Sequence, residues 1–353
     1  MVNSEKWARR AKDFSDGVKD DLEPLIPLDL DQVHSFNDLV CAMSKTAFGG
    51  RQLGEAADVL ETMVRDVDCR VVGTFSGAMT VAKMGLVICK MISSGMLHAI
   101  VSTGALICHG VVETSGKCHF KYQPGMNDAD LYRKGYDRIY DSIELEANLD
   151  HTEQILHEAL YSYPDDTMLC SHRICRDVGD HLNKQGLHRG ILSVAAAHDV
   201  PVFIPAFTDS EIGISYQLHN DQRTQEGRKP LRFDPFLDFQ AYNRLLLKAA
   251  RLGIFTIGGG VPRNWAQQMG PYVDSIQRQE RGYCYDPIRF RYGVRICPEP
   301  AYWGGLSGCT YSEGISWGKF LPPEEGGQFG EVFCDATIAW PLLVKAVLER
   351  LGQ

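Results

Sequence analysis

The sequence predicts an α/β protein in which a parallel sheet is flanked by helices within a single large domain. Runs rich in β-branched residues alternate with stretches of helical periodicity, the pattern of parallel strands joined by helical crossovers. The predicted strands end in small or acidic residues. The 353 residues, 44% of them hydrophobic, can bury a large core, and neither an internal repeat nor a linker divides them.

Side-chain spacing gives the elements in order. In the first helix, Leu53, Ala57 and Leu60 fall on one face, and Gly95 ends the second helix because glycine suits a left-handed cap. Residues 113–138 lack periodicity, which indicates a surface excursion. The predicted helices cover residues 52–65, 79–94, 239–252 and 340–351, with further helical periodicity from 143 to about 198 that breaks near 163–164. The predicted strands cover residues 69–75, 97–103, 201–207, 253–257 and 331–334.

Composition excludes several classes of protein. A formal net charge of -9 argues against a protein that holds nucleic acid through its phosphates. The first 24 residues mix acidic and basic side chains without an apolar core, so we expect no secretory signal. The apolar stretch 79–100 is interrupted by Lys83, Lys90 and His98, which argues against a membrane span. We therefore expect a soluble cytoplasmic protein with a cationic or small-metabolite partner.

The eleven cysteines predict neither disulfides nor a metal site. Their number is odd, and most stand in apolar surroundings, as reduced thiols of a cytosolic protein do. Two groups combine cysteine with histidine, but neither contains a CxxC pair or a repeated zinc-ligand spacing. These groups are Cys108 and His109 with Cys118 and His119, and Cys170 with His172 and Cys175.

The predicted strand ends form a candidate binding edge. In an open parallel sheet, ligands bind beyond the carboxyl ends of the strands, where helices begin. Small residues there let backbone N–H groups approach a pyrophosphate, and an acidic residue can bind ribose hydroxyls. Each turn alone is a weak signal, and no GxGxxG motif is present. The five turns are Ser76-Gly77-Ala78, Thr103-Gly104-Ala105, Thr208-Asp209, Gly258-Gly259-Gly260 and Asp335-Ala336.

The segment from Tyr311 to Lys319 has the most suggestive chemistry. A lysine two residues after Trp317 can be desolvated against the indole, which lowers its pKa and makes a neutral amine nucleophile available. Glu313 is close enough in sequence to share such a pocket. The alternative is a surface lysine beside a core tryptophan.

The run SEGISWGK at residues 312–319 closely resembles the active-site lysine motif of deoxyhypusine synthases. The resemblance also covers PVFIPAFTD (201–209), IGGGV (257–261), GGLSG (304–308) and FCDATIAWPLL (333–343), and in weaker form about four-fifths of the chain. Enzymes of this family use NAD to dehydrogenate spermidine, hold a four-carbon piece as an imine on the lysine, and reduce it after transfer to an acceptor amine.

The resemblance implies roles for particular positions. Lys319 would be the covalent lysine, Trp317 would pack on the methylene chain of the substrate, and Glu313 would bind an ammonium group. It also implies a Rossmann-like domain, a homotetramer with active sites shared between subunits, and an N-terminal helical extension, residues 1–39, ahead of a catalytic domain at 40–353. The NAD contacts would come from Ser76, Gly77, Thr80, Thr103, Gly104, Ala105, Asp209, Gly258, Gly259, Asp335 and Ala336.

The departures from the family pattern cluster in the pocket. Gly77 stands where the family has an asparagine in the NAD turn, and His109 stands where it has a glutamate near the nicotinamide. Ile214 replaces the aspartate that anchors one amine of spermidine, and the histidine and asparagine of the substrate tunnel fall on Asn264 and Gln268. A buried ammonium without its anion costs several kcal/mol. Glu211 is the candidate replacement.

These changes favour a transferase acting on small polyamines, of the homospermidine synthase type. The alternatives are deoxyhypusine synthesis on the lysine of translation initiation factor 5A, a different donor such as a guanidino-amine, and a catalytically silent NAD-binding scaffold.

Overall fold

The computed structural model describes residues 9–279 and 285–353 of the chain. Its strands are β1 (Cys69–Phe75), β2 (Ala99–Ser102), β3 (Phe120–Lys121), β4 (Tyr136–Ile139), β5 (Ser142–Leu145), β6 (Met168–Leu169), β7 (Val202–Phe203), β8 (Arg232–Phe233), β9 (Arg251–Ile257), β10 (Tyr292–Ile296) and β11 (Gln328–Val332). Its α-helices are α1 (Phe36–Ser44), α2 (Phe48–Arg65), α3 (Gly85–Ser93), α4 (Gly104–Thr114), α5 (Asp128–Arg133), α6 (Glu146–Leu160), α7 (Ser171–Lys184), α8 (Ile191–Ala197), α9 (Glu211–Gln225), α10 (Pro235–Leu246), α11 (Gly260–Ala266), α12 (Met269–Arg278), α13 (Tyr311–Ser316) and α14 (Ala336–Arg350).

A six-stranded parallel sheet in the order β11-β10-β9-β1-β2-β7 organises the molecule. The predicted α/β class with helices on both faces is confirmed. In the central ladder Phe75 pairs with Ile257 on one side and with Ser102 on the other. Since these strands end in register, the turns that follow them lie side by side, as the sequence predicted for parallel strands.

One strand of the six-stranded sheet, β10, was missed, and several boundaries differ. The segment that forms β10 carries Arg295, which reads as a surface residue, yet the side chain is buried and pairs with Glu331 at 2.9 Å. The helix predicted over 79–94 begins only at Gly85, because the preceding residues form turns in which Lys83 has φ +66°. The last helix begins four residues before the prediction, where the Asp335 side chain accepts a hydrogen bond from the Thr337 amide.

Other predicted boundaries also differ from those in the structure, in part because strand pairing decides where a strand begins and ends. The predicted helix 239–252 is α10, which ends at Leu246, and residues 251 and 252 already belong to β9. Only Val202 and Phe203 of the predicted strand 201–207 form ladder pairs. The predicted strand 331–334 is β11, Gln328–Val332. Helical structure starts at Glu146, since Ile143 lies in β5.

Apolar side chains fill both faces of the sheet. On one face the indole of Trp340 is fully buried and stacks on Phe75, with ring centroids 5.5 Å apart. On the other face Tyr242 packs edge-on against Phe203 at 5.4 Å and donates to the carbonyl of Ala266. Burying side chains of this size stabilises the fold by roughly 1.5–3 kcal/mol each, and it holds the strand ends rigid.

The predicted surface excursion contains a small antiparallel sheet of order β3-β5-β4, with the short helix α5 before β4. This small sheet matters for the site because it positions two polar side chains. The segment leading to β3 carries His119 and strand β5 carries Glu144, and both side chains turn inward against α4. A stretch that reads as polar surface therefore supplies two buried groups.

The chain before the first α-helix, from residue 9, is largely exposed and contains two short 3-10 turns. Residues 1–8 of the predicted N-terminal extension lie outside the described residues. Helix α1, which starts inside that extension, is tied to α14: the Asn37 amide donates to Glu349 at 2.9 Å, and Arg350 Nε donates to the Asn37 side chain at 2.6 Å. In the described part of the chain, no helix combines the length and apolar character that a membrane span requires.

Candidate functional site

The turns after β1 and β9 are locked together at the carboxyl edge of the sheet. Ser76 Oγ donates to the carbonyl of Ile257 at 3.0 Å and accepts from the Gly259 amide at 3.0 Å. Gly258 has φ +75°, and a Cβ there would lie 2.1 Å from Ser76 Oγ, so this position requires glycine. Gly77 also has a positive φ, and little stands near it. The predicted phosphate-type turns are therefore neighbours.

The turn after β2 contacts these two turns, and we term the three turns together the cradle. Thr103 Oγ1 donates to the carbonyl of Gly77 at 2.6 Å and also caps helix α4 by accepting from the Leu106 amide. A Cβ on Gly104 would lie 2.0 Å from Ser210 Oγ, so the start of α4 packs tightly on the start of α9. Thr80 is fully buried and donates to Leu106, which makes it a packing contact beneath the cradle.

The remaining predicted cofactor residues lie at helix starts. Asp209 is exposed just before α9, while Asp335 is exposed and caps α14 through its own carboxylate. Ala105 and Ala336 occupy the first turns of α4 and α14. Backbone N–H groups in such first turns attract anions.

Lys319 is buried, with 9% of its surface exposed. Its Nζ donates to Asn264 Oδ1 at 3.1 Å and lies 5.8 Å from the ring centroid of Trp317. Burial lowers the pKa of Lys319 below its ordinary value. Cys309 opposes this lowering, the Arg263 guanidinium adds to it, and Glu313 has the smallest effect, which raises the pKa. The interpretation of this residue as a surface lysine is wrong.

The glycines of the lysine motif serve its geometry. Gly318 has φ +66°, which reverses the chain so that the Lys319 amide donates to the carbonyl of Gly314 at 3.0 Å. A Cβ on Gly314 would lie 2.6 Å from the ring of Phe320, so this position also requires glycine. The Lys319 carbonyl accepts a hydrogen bond from the Phe290 amide at 2.9 Å, which holds the lysine backbone against the segment just before β10.

Trp317 and Glu313 stand at the surface of the chain beside the lysine. The indole is 64% exposed, so the alternative of a core tryptophan is wrong. Glu313 is exposed on helix α13, whose start is capped by Thr310. Gln268 is half-buried at the start of α12, four residues beyond Asn264. The lysine thus has an open side, bounded by an indole and a carboxylate.

Two buried arginines that sequence reasoning missed connect the lysine to the cradle. Arg263 Nη1 donates to the carbonyl of Cys309 at 2.6 Å, and Arg295 Nη1 donates to the carbonyls of Ser307 and Cys309 at 2.6 and 2.7 Å. A Cβ on Gly259 would lie 2.6 Å from Ser307 Cα. The arginines therefore clamp the loop that lies between the glycine turn and α13. No local motif in the sequence points to them.

At the other end of the edge, His109 belongs to a buried group that we term the histidine cluster: His109, His119 and Glu144. His109 Nδ1 and His119 Nε2 lie 2.9 and 2.7 Å from the same oxygen, Glu144 Oε2, and 3.3 Å from each other. The second oxygen accepts from Asn148 at 2.7 Å and from the Leu145 amide at 2.8 Å. Burial alone would raise the pKa of Glu144, but these hydrogen bonds hold it well below its usual range.

Further carboxylates surround this cluster. Asp137 is half-buried; burial raises its pKa, as do the nearby charges of Glu144 and Glu211, against a smaller lowering by His109. Glu211 opens helix α9 and precedes the exposed Ile214 by three residues, so both lie on one face. A carboxylate is therefore available beside the position where the resemblance leads one to expect an aspartate.

A cavity of about 710 Å³ lies elsewhere, at the amino ends of the strands. It is lined partly by Arg70, His98, Arg244 and Lys248, none of which belongs to the predicted site.

The chain matches the family model described as deoxyhypusine synthase over residues 38–347. It is 32% identical to the probable deoxyhypusine synthase 2 of Methanosarcina acetivorans, over 93% of this chain and 90% of that protein. It is 30% identical to a deoxyhypusine synthase-like protein of Chlorobaculum parvum, over 88% and 85% of the two chains. The crystal structure of an Entamoeba histolytica protein assigned as a deoxyhypusine synthase shares the fold, with a TM-score of 0.56, 14% identity and coverage of 91% and 96%. This chain belongs to the deoxyhypusine synthase family.

Proposed function

We propose that this protein is an NAD-dependent aminoalkyl transferase that moves a 4-aminobutyl group between small polyamines through an imine on Lys319, as a homospermidine synthase does. The observation that carries the proposal is the burial of Lys319. Its amine forms no ion pair with any carboxylate of the described residues, contacts Asn264, and has a lowered pKa. A buried lysine of this kind supplies the neutral amine that imine formation requires.

The residues of the cradle fit NAD. Gly77 and Gly260 both have positive φ, and a Cβ at either position would meet no heavy atom closer than 3.9 Å, so their backbone is open to a ligand. The exposed carboxylates of Asp209 and Asp335 suit ribose hydroxyls, and the starts of α4 and α14 suit a pyrophosphate. NAD, when bound, would accept a hydride from the carbon beside the amine and return it after transfer.

Lys319 performs the transfer itself. Oxidation of the donor gives a C=N bond, and Lys319 Nζ attacks its carbon. The bond to the departing diamine breaks, and the lysine retains the four-carbon piece as an imine. The acceptor amine attacks the same carbon and releases Lys319, after which reduction gives the new secondary amine. Asn264 Oδ1, 3.1 Å from Nζ, orients the amine before attack without supplying a charge that would keep it protonated.

The surroundings of the lysine favour a small, cationic, flexible substrate. Trp317 offers an indole face to a methylene chain, and Glu313 offers a carboxylate to an ammonium group. Glu211 offers a second carboxylate at the histidine end of the edge. His109, Asn264 and Gln268 would line the remaining tunnel. The exposed indole of Trp317 is what a second subunit would cover, so we propose a homotetramer with shared sites, located in the cytoplasm.

Borohydride trapping tests the proposal. We expect that incubation with NAD and spermidine or putrescine, followed by reduction, attaches the amine-derived piece to Lys319, detected by mass spectrometry of the peptide. Lys319→Arg should bind NAD unchanged but form no adduct, because arginine stays protonated. Lys345→Arg, at an exposed ion-paired lysine, is the matched control and should be trapped like the wild type. Retained turnover in Lys319→Arg would remove the covalent mechanism.

The names of the curated relatives favour a second candidate, the modification of a protein lysine. Incubation of the enzyme with NAD, spermidine and translation initiation factor 5A distinguishes the two activities. A 4-aminobutyl group on the factor would identify a deoxyhypusine synthase, whereas homospermidine from added putrescine supports our proposal. NAD binding without either product, and without any adduct, would indicate a silent scaffold.

A further inference from the structure

We infer that the histidine cluster, His109, His119 and Glu144, is a binding site for one divalent transition-metal ion of the zinc type. The inference does not depend on the lysine chemistry proposed above. It stands on the convergence of three ligand atoms from separate elements, namely helix α4, the segment before β3, and strand β5.

The spacing of the three atoms suits a single ion. Their separations are 2.7, 2.9 and 3.3 Å. An ion about 2.0–2.1 Å from each of two imidazole nitrogens and a carboxylate oxygen separates those atoms by roughly 2.9–3.4 Å. The three atoms form one triangular face, which leaves the remaining coordination positions for water or another ligand, as in sites with two histidines and one carboxylate.

The carboxylate is held from behind. Glu144 Oε1 accepts from Asn148 Nδ2 and from the Leu145 amide, so Oε2 is directed at the two imidazoles. Outer contacts of this kind orient ligands in metal sites. All three side chains are at least nine-tenths buried. The half-buried carboxyl of Asp137 lies close enough to feel the charge of Glu144.

Lys83 is the group that competes with the ion. Its Nζ lies 2.8 Å from His119 Nδ1 and 2.9 Å from Glu113 Oε1. A metal on Nε2 requires a proton on Nδ1, which can donate a hydrogen bond to the Glu113 carboxylate once the ammonium moves aside. The Lys83 side chain is half exposed and can do so. Removing the ammonium should therefore strengthen metal binding.

A second group of similar composition, Cys170, His172 and Asp238, serves as the internal comparison. There both oxygens of Asp238 already accept backbone amides, from Ser171 and His172 at 2.9 Å each, so the carboxylate caps helix α7. We expect no tight metal binding at this group.

The test uses the full chain after dialysis against a chelator. Titration with Co²⁺ should give a visible absorption band that saturates at one ion per chain, and Zn²⁺ should displace it while Mg²⁺ and Ca²⁺, which prefer oxygen ligands, should not. His119→Gln should weaken binding at least tenfold. Asn148→Ala, which changes no ligand, should weaken it about tenfold. Lys83→Asn, which tolerates the left-handed backbone, should strengthen it.

His172→Ala is the control, and should leave the Co²⁺ band unchanged. Circular dichroism of each variant establishes that it is folded. Absence of a saturable band in the wild type, an unchanged Co²⁺ affinity in His119→Gln, or loss of the band in His172→Ala would overturn the assignment.

Discussion

The two ends of the carboxyl edge bury polar groups in opposite ways. At the histidine end, Glu144 receives hydrogen bonds on both oxygens, and its charge is fully partnered. At the lysine end, the side-chain partner of Lys319 among the described residues is the neutral amide of Asn264. Partnered burial holds a group in its charged form, whereas burial without a counter-charge favours the neutral form. The first arrangement therefore supports structure, and the second is the one that the proposed imine chemistry requires.

The largest effect should come from breaking the partnered end. Glu144→Leu leaves two imidazoles, Asn148 and a backbone amide without their acceptor in a buried site. We expect the free energy of unfolding to fall by about 3–5 kcal/mol, the usual cost of removing one member of a buried charged group. Urea denaturation in the presence of a chelator measures it.

The matched control is Glu324→Leu, which removes an exposed carboxylate from a surface turn. It should change the free energy of unfolding by less than about 0.5 kcal/mol. A loss of less than about 1 kcal/mol in Glu144→Leu would contradict the view that the histidine end contributes stability.

The next effect should come from giving the lysine a partner. Asn264→Asp places a carboxylate within hydrogen-bond distance of Lys319 Nζ, which should raise the lysine pKa. At neutral pH we expect roughly 10- to 100-fold slower borohydride-trapped adduct formation, recovering as the pH rises. The pH profile of single-turnover trapping measures the shift.

Asn264→Leu provides the opposite change at the same position. It removes the acceptor without adding charge, so the lysine pKa should fall and the profile should move to lower pH. If both substitutions moved the profile in the same direction, the contact with Asn264 would not control the protonation of Lys319.

The sequence predicts a strand of this fold when the strand has the apolar and β-branched composition that is typical of buried strands. Apart from one glycine and an arginine at or next to the amino end of each, strands β1 and β9 consist of apolar and β-branched residues, and both were located to within two residues. Strand β10 was missed because it carries Arg295, whose charge is satisfied by Glu331 and by loop carbonyls distant in sequence. A buried ion pair between two strands has no local pattern that could identify it.

The same distinction applies to the site. The burial of Lys319 agrees with the expectation of a desolvated lysine, and that expectation rested on one local motif, in which Gly314 and Gly318 set the backbone geometry. The partners of His109 could not be predicted, because Glu144 lies 35 residues away and approaches through the small antiparallel sheet. Residues that only the tertiary structure brings together show no characteristic spacing in the sequence.

A smaller effect concerns the cradle that lies between the two ends. Gly258→Ala forces a Cβ into Ser76 Oγ at a residue with φ +75°. We expect a loss of about 1–3 kcal/mol of stability from backbone strain and the displaced serine, with weaker NAD binding by fluorescence titration. Gly227→Ala is the matched control, since its φ is +76° but nothing lies within 4 Å of the added Cβ. Equal losses in the two variants would show that the contact with Ser76 contributes nothing.

The smallest effect is the change in stability caused by Lys319→Met, and here the sign of the change is more informative than its size. The folded chain lowers the pKa of Lys319, so below that lowered value it must bury a charge that methionine lacks. We therefore expect the variant to unfold at an equal or higher urea concentration at pH 7, although it is inactive.

Between the lowered pKa and the ordinary value of 10.5, the unfolded chain holds a proton that the folded chain has lost, so wild-type stability rises with pH across this window. The difference between variant and wild type should shrink accordingly, whereas Lys345→Met, at an exposed ion-paired lysine, should show no such trend. A Lys319→Met variant that is clearly less stable than wild type at pH 7 would mean that the lysine is a structural partner, and the contrast between the two ends would fail.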